Sequence, residues 1–494
     1  MNSKKAPATQ ESINALSENL GWEIESSALI LKNGVIFKEI LDEKNIQDDM
    51  DRILDAFLTL NNFTLYIYIE LASVLRADFR ANLDVEKRYN IKWVNCAILE
   101  GYKHLYGYGS KRKKSVWMSK IKPLLEVFNN KEFQQDVRIL EDSIAEFGDS
   151  NITNLEQRDL SFHYDIEPLL VYNMLIGLSE EEEVQRMIHF MDLLQKILRF
   201  ASKYTTPIKM EPKALLKYAF SFSDSDIFQN SKDKIYSTME NEINYHALRL
   251  DTFIRQQCLP ELIKQHFKDA DGNFTNPINR VLEIQKVAIH LTYLYIDLAS
   301  AMRAFISSEY TIEKQFSLKQ INTIILEGYN KLYGLNEDSK DSFWTKYVYP
   351  IVLDCDDTII EEFKSMEEEF HSLKMKIKTF DKQRQLSVHL EDGICKVYSM
   401  LHSLNPIEEF QKASELLNFL PKILNFLTKC IQDIALENQI DHEKKMAPTY
   451  EKIDNVIHIL KKQPDCAQKE DLIRKLEDLK SGKLFDELMR KKRK

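Results

Sequence analysis

Residues 64–77 read TLYIYIELASVLRA, and residues 291–304, which begin 227 positions later, read LTYLYIDLASAMRA. The same spacing relates NCAILEGY at 95–102 to NTIILEGY at 322–329. Recurrence of similar segments at a fixed spacing is the sequence signature of a repeated structural unit. We therefore predict that one unit of about 200 residues occurs twice in tandem.

A third pair of segments extends the correspondence towards the end of each unit. RDLSFH occupies residues 158–163 and RQLSVH occupies residues 384–389, a spacing of 226 residues. A drift of one position between pairs is typical of single-residue deletions in loops. We expect repeat 1 to span residues 1–212 and repeat 2 to span residues 213–440. Residues 441–494 are expected to form a C-terminal helical hairpin with the basic tail RKKRK.

The secondary structure is predicted to be entirely helical. In repeat 1, apolar side chains recur at helical spacing from Leu65 through Ile69 and Ala72 to Leu75. Glycine and proline number 12 each in 494 residues, about 2% apiece against typical values of about 7% and 5%. So few turn-forming residues exclude a β-sandwich or barrel with many tight reversals. Each repeat is expected to be an up-and-down bundle of roughly four to six helices.

Charge and composition exclude several classes of function. The chain carries 67 basic and 77 acidic residues, which gives a net charge of −10. We therefore expect no DNA partner, although a local basic cleft for RNA is compatible with this net charge. The six cysteines are widely separated, which predicts reduced thiols and no zinc site. No secretory signal, membrane-spanning run or phosphate-binding glycine loop is recognisable. We therefore expect a cytoplasmic protein with no membrane partner, metal or cofactor.

Each repeat contains an arginine followed five positions later by a histidine, Arg158 with His163 and Arg384 with His389. Both pairs directly precede a strongly periodic helix, and a helix N-terminus favours anions. The planar guanidinium matches a phosphate, and imidazole transfers protons near neutral pH. The pairs are therefore candidates for metal-free RNA cleavage, in which histidine is the acid or base and arginine stabilises charge on phosphate.

RDLSFHYD, in a loop before the last long helices of an all-helical bundle, resembles the signature of the HEPN family, an R-x4-6-H motif with a polar residue after the arginine. Arg158, Asp159 and His163 fill the three positions. In repeat 2, Arg384 and His389 fill two, but Gln385 stands where the family has a smaller polar residue. The resemblance implies that the two repeats form an intramolecular pseudo-dimer whose motifs converge in one cleft, with Asp159 orienting the catalytic groups.

The HEPN family includes metal-independent endoribonucleases of toxin–antitoxin, abortive-infection and CRISPR-associated systems, together with inactive binding or scaffold members. The resemblance therefore implies a bacterial defence or toxin protein that binds RNA and has an antitoxin or another protein as partner. The alternative is a non-catalytic helical scaffold, in which the arginines and histidines have structural roles. A third interpretation is a toxin that is silent until its partner is released.

Two acidic residues, Glu70 and Asp297, occupy equivalent positions in otherwise apolar helical runs. A buried carboxylate requires a partner. Either these residues orient the motif arginine or histidine, or they form ion pairs between helices, with Arg76 and Arg303 as candidate partners. The sequence favours the ion pairs.

Two further features have a structural and a functional interpretation. Tyr102 and Tyr106, like Tyr329 and Tyr333, are spaced to share one helix face, which predicts packing residues with surface hydroxyls, or alternatively base-stacking residues. The basic run KRKK at 111–114 occurs in repeat 1 alone and predicts a solvated loop, or alternatively a patch that attracts phosphate.

Overall fold

The computed structural model describes residues 10–43, 48–107, 113–128, 130–151, 168–205, 232–257, 276–335, 341–377, 393–462, 470 and 473–477. All secondary structure in these ranges is helical, which confirms the all-α prediction. Fourteen α-helices and two π-helical turns lie in the described part of the chain.

The helices of the N-terminal half begin with two long elements that pack against each other. The bounds are α1 Gln10–Glu43, α2 Asp49–Arg80, α3 Asp84–Leu105, a π-helical turn Trp117–Ile121, α4 Leu124–Val127, α5 Lys131–Asn151, α6 Pro168–Gly177 and α7 Glu180–Thr205. Helix α2 is the centre of this half because α1, α3 and α7 all pack against it.

The C-terminal half has the same order of helices. The bounds are α8 Lys232–Gln257, α9 Asn276–Ser307, α10 Thr311–Leu332, a π-helical turn Trp344–Val348, α11 Tyr349–Val352, α12 Asp357–Ile377, α13 Ile394–Ser403 and α14 Pro406–Lys461. Helices α9 and α2 both have 32 residues, α10 and α3 both have 22, α12 and α5 both have 21, and α13 and α6 both have 10. Helix α9 is central in this half, contacted by α8, α10 and α14.

Local sequence explains where the central helices begin and end. The Asp48 side chain accepts a hydrogen bond of 2.8 Å from the Asp51 backbone N–H and caps the start of α2. Two residues beyond the last residue of α3 stands Gly107, with φ of 81°, and two residues beyond the last residue of α10 stands Gly334, with φ of 90°. Each glycine N–H donates to the carbonyl five residues earlier, Gly107 to Tyr102 and Gly334 to Tyr329. The left-handed conformation of both residues explains the choice of glycine.

The buried apolar side chains form one cluster to which helices of both halves contribute, with α2, α3, α9 and α10 among them. Gly101 of α3 faces Ile67 of α2, and an added Cβ atom there would come within 2.7 Å of Ile67 Cγ2. Gly328 of α10 has the same relation to Leu294 of α9. Both helix pairs therefore have glycine where a side chain of the neighbouring helix fills the space that a Cβ atom would take.

Helix α14 continues through Pro421 and through the expected domain boundary at 440/441, which lies inside this helix. The first part of the expected hairpin, residues 441–461, is thus the end of a 56-residue helix. Of the second helix expected in the C-terminal hairpin, residues 470 and 473–477 are described, and they are helical. Lys461 Nζ lies 3.8 Å from Glu477 Oε1, a contact between the two segments.

Candidate functional site at the interface between the two halves

The predicted site residues lie outside the described residues. Arg158, Asp159 and His163 fall in the segment between α5 and α6, and Arg384, Gln385 and His389 fall in the segment between α12 and α13. What the structure describes is the pair of helices that directly follow these segments, α6 and α13. The position of these two helices is therefore the basis for examining the site.

Helices α6 and α13 each contact both halves of the molecule. Helix α6 packs on α3 of its own half and on α9 of the other half. Helix α13 packs on α10 of its own half and on α1 and α2 of the other half. Specific bonds anchor them: Arg88 of α3 donates to the Leu175 carbonyl of α6 at 3.1 Å, and Cys395 Sγ of α13 lies 3.9 Å from the Val35 carbonyl of α1. Each motif-bearing segment thus continues into a helix at the interface between the halves.

Two arginines at equivalent positions form buried ion pairs across this interface. Arg76 of α2 donates to Glu313 of α10 at 2.7 Å, and Arg303 of α9 donates to Glu86 of α3 at 2.5 Å. Arg76 and Arg303 are 227 positions apart, and so are Glu86 and Glu313. The contact is therefore reciprocal, as in the interface of a twofold-symmetric dimer.

Two further ion pairs repeat the reciprocal pattern. Lys319 of α10 pairs with Glu70 of α2 at 2.5 Å, and Lys92 of α3 pairs with Asp297 of α9. Trp93 also donates its indole N–H to Asp297 at 3.1 Å. The ion-pair interpretation of Glu70 and Asp297 is thus confirmed. Their partners are lysines of the other half, and the expectation of Arg76 and Arg303 as partners is wrong.

The buried acids of the arginine pairs are also bonded to the backbone. Glu313 accepts the N–H groups of Glu309 and Tyr310 at 3.2 Å, just before its own helix begins. Backbone bonds near Asn82 act on Glu86 at the equivalent place. Burial raises the pKa of Glu86, while the charge of Arg303 opposes the rise. Loss of the arginine would leave this carboxylate without its main electrostatic compensation.

A second pair of equivalent polar clusters lies at the first turns of α7 and α14. Glu183 pairs with Arg186 at 2.5 Å, and Glu409 pairs with Lys412 at 3.3 Å. Burial raises the pKa of both glutamates, whereas the charges of Arg186 and Lys412 respectively act against that rise.

The tyrosines of the ILEGY segments are packing residues, as predicted, but their hydroxyl groups differ from the expectation. Tyr102 and Tyr329 are buried, and their hydroxyls donate to the carbonyls of Ile144 and Phe370 at 3.3 and 2.7 Å. The prediction that these hydroxyls lie at the surface is therefore wrong. Each buried hydroxyl satisfies its donor by bonding to a neighbouring helix.

The basic run at 111–114 is described in part. Lys113 and Lys114 are exposed, in agreement with a solvated loop, and residues 111 and 112 lie outside the described residues.

The residues that sequence reasoning missed are the basic and acidic partners on α3 and α10. Lys92, Lys319, Glu86 and Glu313 were not singled out, although each recurs at the 227-residue spacing. Applying that spacing to every charged residue within the helical runs would have identified them. Their burial is a tertiary property that local periodicity does not indicate.

Comparison with models of protein families, with curated proteins and with solved structures gives no match for this chain. Among the described residues, no group of three or more His, Cys, Asp and Glu side chains is arranged to hold a metal ion. No helix in the described ranges is both long and apolar enough to cross a membrane.

Proposed function

We propose that the chain is a tandem duplication of one HEPN-like helical domain and that the two copies form an intramolecular pseudo-dimer. The equal lengths of equivalent helices support the duplication. The reciprocal pairs Arg76–Glu313 and Arg303–Glu86 support the pseudo-dimer, because an isologous interface uses the same residues on both partners.

The proposed activity is RNA binding followed by metal-independent endonucleolytic cleavage. One histidine, His163 or His389, removes the proton of a ribose 2′-hydroxyl, and the other donates a proton to the leaving 5′-oxygen. Arg158 and Arg384 bind the phosphate and stabilise the charge that develops on it. Asp159 orients the groups of the first motif. The products are a 2′,3′-cyclic phosphate and a 5′-hydroxyl.

The single observation that carries this proposal is the position of α6 and α13. Each helix follows one motif and packs across the boundary between the halves, α6 on α9 and α13 on α2. Buried ion pairs hold that boundary in one arrangement. Two motif segments that continue into such helices are suited to act on one RNA strand together.

The biological setting we propose is a cytoplasmic bacterial defence or toxin system. The net charge of −10 limits non-specific attraction to RNA, so binding depends on the local arginines. An antitoxin or another protein partner that covers the motifs would keep such a nuclease inactive.

The test is incubation of the purified full-length protein with a mixed RNA pool in EDTA. Wild-type protein is expected to cleave, leaving 2′,3′-cyclic phosphate ends, and His163→Ala is expected to abolish cleavage without altering the helical circular-dichroism spectrum. The exposed His189 of α7 offers a matched control, and His189→Ala is expected to cleave like the wild type.

Cleavage that persists in a His163→Ala/His389→Ala double variant would show that the catalytic assignment is wrong. Absence of both RNA binding and cleavage in the wild-type protein would instead favour the non-catalytic scaffold. RNA binding that is lost on replacing Arg158 and Arg384, with no cleavage by any form, would support a binding role for the motifs and contradict a catalytic one.

A further inference from the structure

Two groups of ion pairs join the halves, and they differ in their balance of charge. In the first group, the Arg76 cluster, two arginines of α2 contact two glutamates at and just before the first turn of α10. The distances are 2.7–3.8 Å, and the four residues are Arg76, Arg80, Glu309 and Glu313. Two cations face two carboxylates in this cluster, so its charges balance.

The second group, the Arg303 cluster, contains one cation and two carboxylates. Arg303 of α9 donates to Glu86 of α3 at 2.5 Å and to Glu240 of α8 at 3.0 Å. Among the described residues, Arg303 is the one cation that pairs with either glutamate. Its side chain is completely buried, that of Glu86 is 4% exposed and that of Glu240 is 30% exposed. This cluster therefore carries one negative charge in excess.

The excess arises at two positions of the 227-residue correspondence. Ser307 stands at the position of Arg80. Asn82 stands at the position of Glu309. The second ion pair of the balanced cluster is thus replaced by two neutral residues. Glu240 enters from α8 instead and brings a carboxylate without a cation of its own.

The neighbouring charged groups do not compensate for this excess. Asp78 of α2 interacts electrostatically with Glu86, is 1% exposed, and has no hydrogen-bond partner for its carboxylate oxygens among the described residues. Glu180 of α7 and Lys87 of α3 neutralise each other at 3.2 Å. Arg80 directs its guanidinium to the balanced cluster. In the part of the chain that the structure describes, the excess negative charge therefore stays uncompensated.

A bound proton supplies the missing positive charge. Burial raises the pKa of Glu86 to about 7, with Arg303 opposing the rise and Glu240 adding to it. An exposed glutamate has a pKa of about 4. Between about pH 4 and pH 7 the assembled cluster thus holds a proton that separated glutamates release. The contact therefore weakens as the pH rises through this window.

Helix α8 is the element whose attachment depends on this cluster. Near its start, Tyr236 donates its hydroxyl to the Arg80 carbonyl at 3.1 Å, and its ring centroid lies 3.9 Å from the Arg303 guanidinium. Further along α8, His246 is buried and stacks on Tyr295 of α9 with ring centroids 3.9 Å apart. The first turns of α8 are thus held at the ionic contact, whereas the later turns pack on α9.

We propose that the Arg303 cluster is a pH-sensitive switch that controls the attachment of the first turns of α8, residues 232–242. With a proton shared between Glu86 and Glu240, one carboxylate remains to pair with Arg303, and α8 is held at the interface. When the proton is lost to solvent, the two carboxylates repel each other. Glu240 is the more exposed of the two and moves away with the start of α8. The balanced cluster keeps the halves together, and the switch does not depend on the proposed RNA chemistry.

Hydrogen exchange of the full-length protein at pH 6 and pH 8, measured by mass spectrometry and corrected for the intrinsic exchange rate at each pH, tests the switch. In the wild type, the opening constant of residues 232–242 is expected to rise about tenfold from pH 6 to pH 8, because the proton is bound with a pKa of about 7 in the attached form and about 4 in the detached form. Glu240→Gln removes the excess carboxylate and is expected to reduce this change to less than about twofold.

Glu309→Gln is the matched control, because it removes an exposed glutamate from the balanced cluster. It is expected to keep the wild-type response of α8, and circular dichroism at both pH values verifies that each variant is folded. A wild-type opening constant that is the same at pH 6 and pH 8 would overturn the proposal. So would an undiminished response in Glu240→Gln, or loss of the response in Glu309→Gln.

Discussion

Replacement of Arg303 by methionine is the most demanding test of the interface between the halves. The Arg303 side chain is completely buried. Its guanidinium donates to Glu86 at 2.5 Å and to Glu240 at 3.0 Å, and it lies 3.9 Å from the centroid of the Tyr236 ring. Methionine keeps much of the length and apolar bulk of this side chain and removes its charge. The substitution therefore leaves Glu86 buried without a cationic partner.

The expected cost follows from these contacts. Removing one partner of a buried ion pair typically destabilises a protein by about 3–5 kcal/mol, because the remaining charge stays desolvated. The lost cation–π contact adds about 1 kcal/mol. Protonation of Glu86 relieves part of the penalty. The pKa of this carboxyl is already raised by burial, so the deficit of the variant is expected to be smaller at pH 5 than at pH 8.

Urea unfolding followed by far-ultraviolet circular dichroism measures the effect. Lys422→Met is a matched control, since Lys422 pairs with Glu369 at 3.0 Å with both side chains largely exposed. An exposed pair of this kind contributes about 0–1 kcal/mol. The double variant Arg303→Met/Glu86→Gln removes both charges and is expected to recover much of the loss. If Arg303→Met loses no more stability than Lys422→Met, or if Glu86→Gln brings no recovery, the buried pair does not hold the halves together.

Two further predictions concern packing and pH. Gly101→Ala is expected to lower the free energy of unfolding by about 1–3 kcal/mol, because the added Cβ atom would overpack against Cγ2 of Ile67. At Gly177 an added Cβ atom meets no atom within 4 Å, so Gly177→Ala is expected to be neutral in the same urea titration. Asp78 is almost fully buried, and its pKa is raised to about 7 by burial and by Glu180 and Glu86, with Lys87 opposing. Because its ordinary pKa is about 4, the native state holds more protons than the unfolded state between about pH 4 and 7, and stability falls as the pH rises through this window. The difference in unfolding free energy between Asp78→Asn and the wild type is therefore expected to change in favour of the variant from pH 4 to pH 8, by an amount on the order of 4 kcal/mol. An equal difference at both pH values would contradict this assignment.

The sequence predicted the helical class, because that class is expressed in local patterns. The helical spacing of Leu65, Ile69 and Ala72 indicates a helix whatever tertiary contacts this segment makes. The partners of Glu70 and Asp297 could not be predicted in the same way, since Lys319 and Lys92 lie more than 200 residues from them in sequence. A lysine in a helical run is indistinguishable from a solvated residue until its tertiary neighbours are known. The continuation of α14 past 440 was missed for a related reason: a helix with few local signals can be extended by packing.

The four reciprocal ion pairs also determine how the halves are aligned. Arg76 lies six residues after Glu70 on α2. Its partner Glu313 lies six residues before Lys319, the partner of Glu70, on α10. Helices α2 and α10 are therefore antiparallel in a fixed register. A shift of one helical turn would separate these buried charges from their present partners, at a cost of several kcal/mol for each ion.

An apolar interface would not impose so steep a penalty on a slipped register, because one aliphatic contact can replace another. Helices α6 and α13 pack on α9 and α2, the same helices that carry the ion pairs. The register of the ion pairs therefore helps to set the separation between the first turns of α6 and α13. If cleavage requires both motifs, Arg303→Met should reduce the rate of cleavage by more than its loss of folded protein explains. The control Lys422→Met should leave both quantities unchanged.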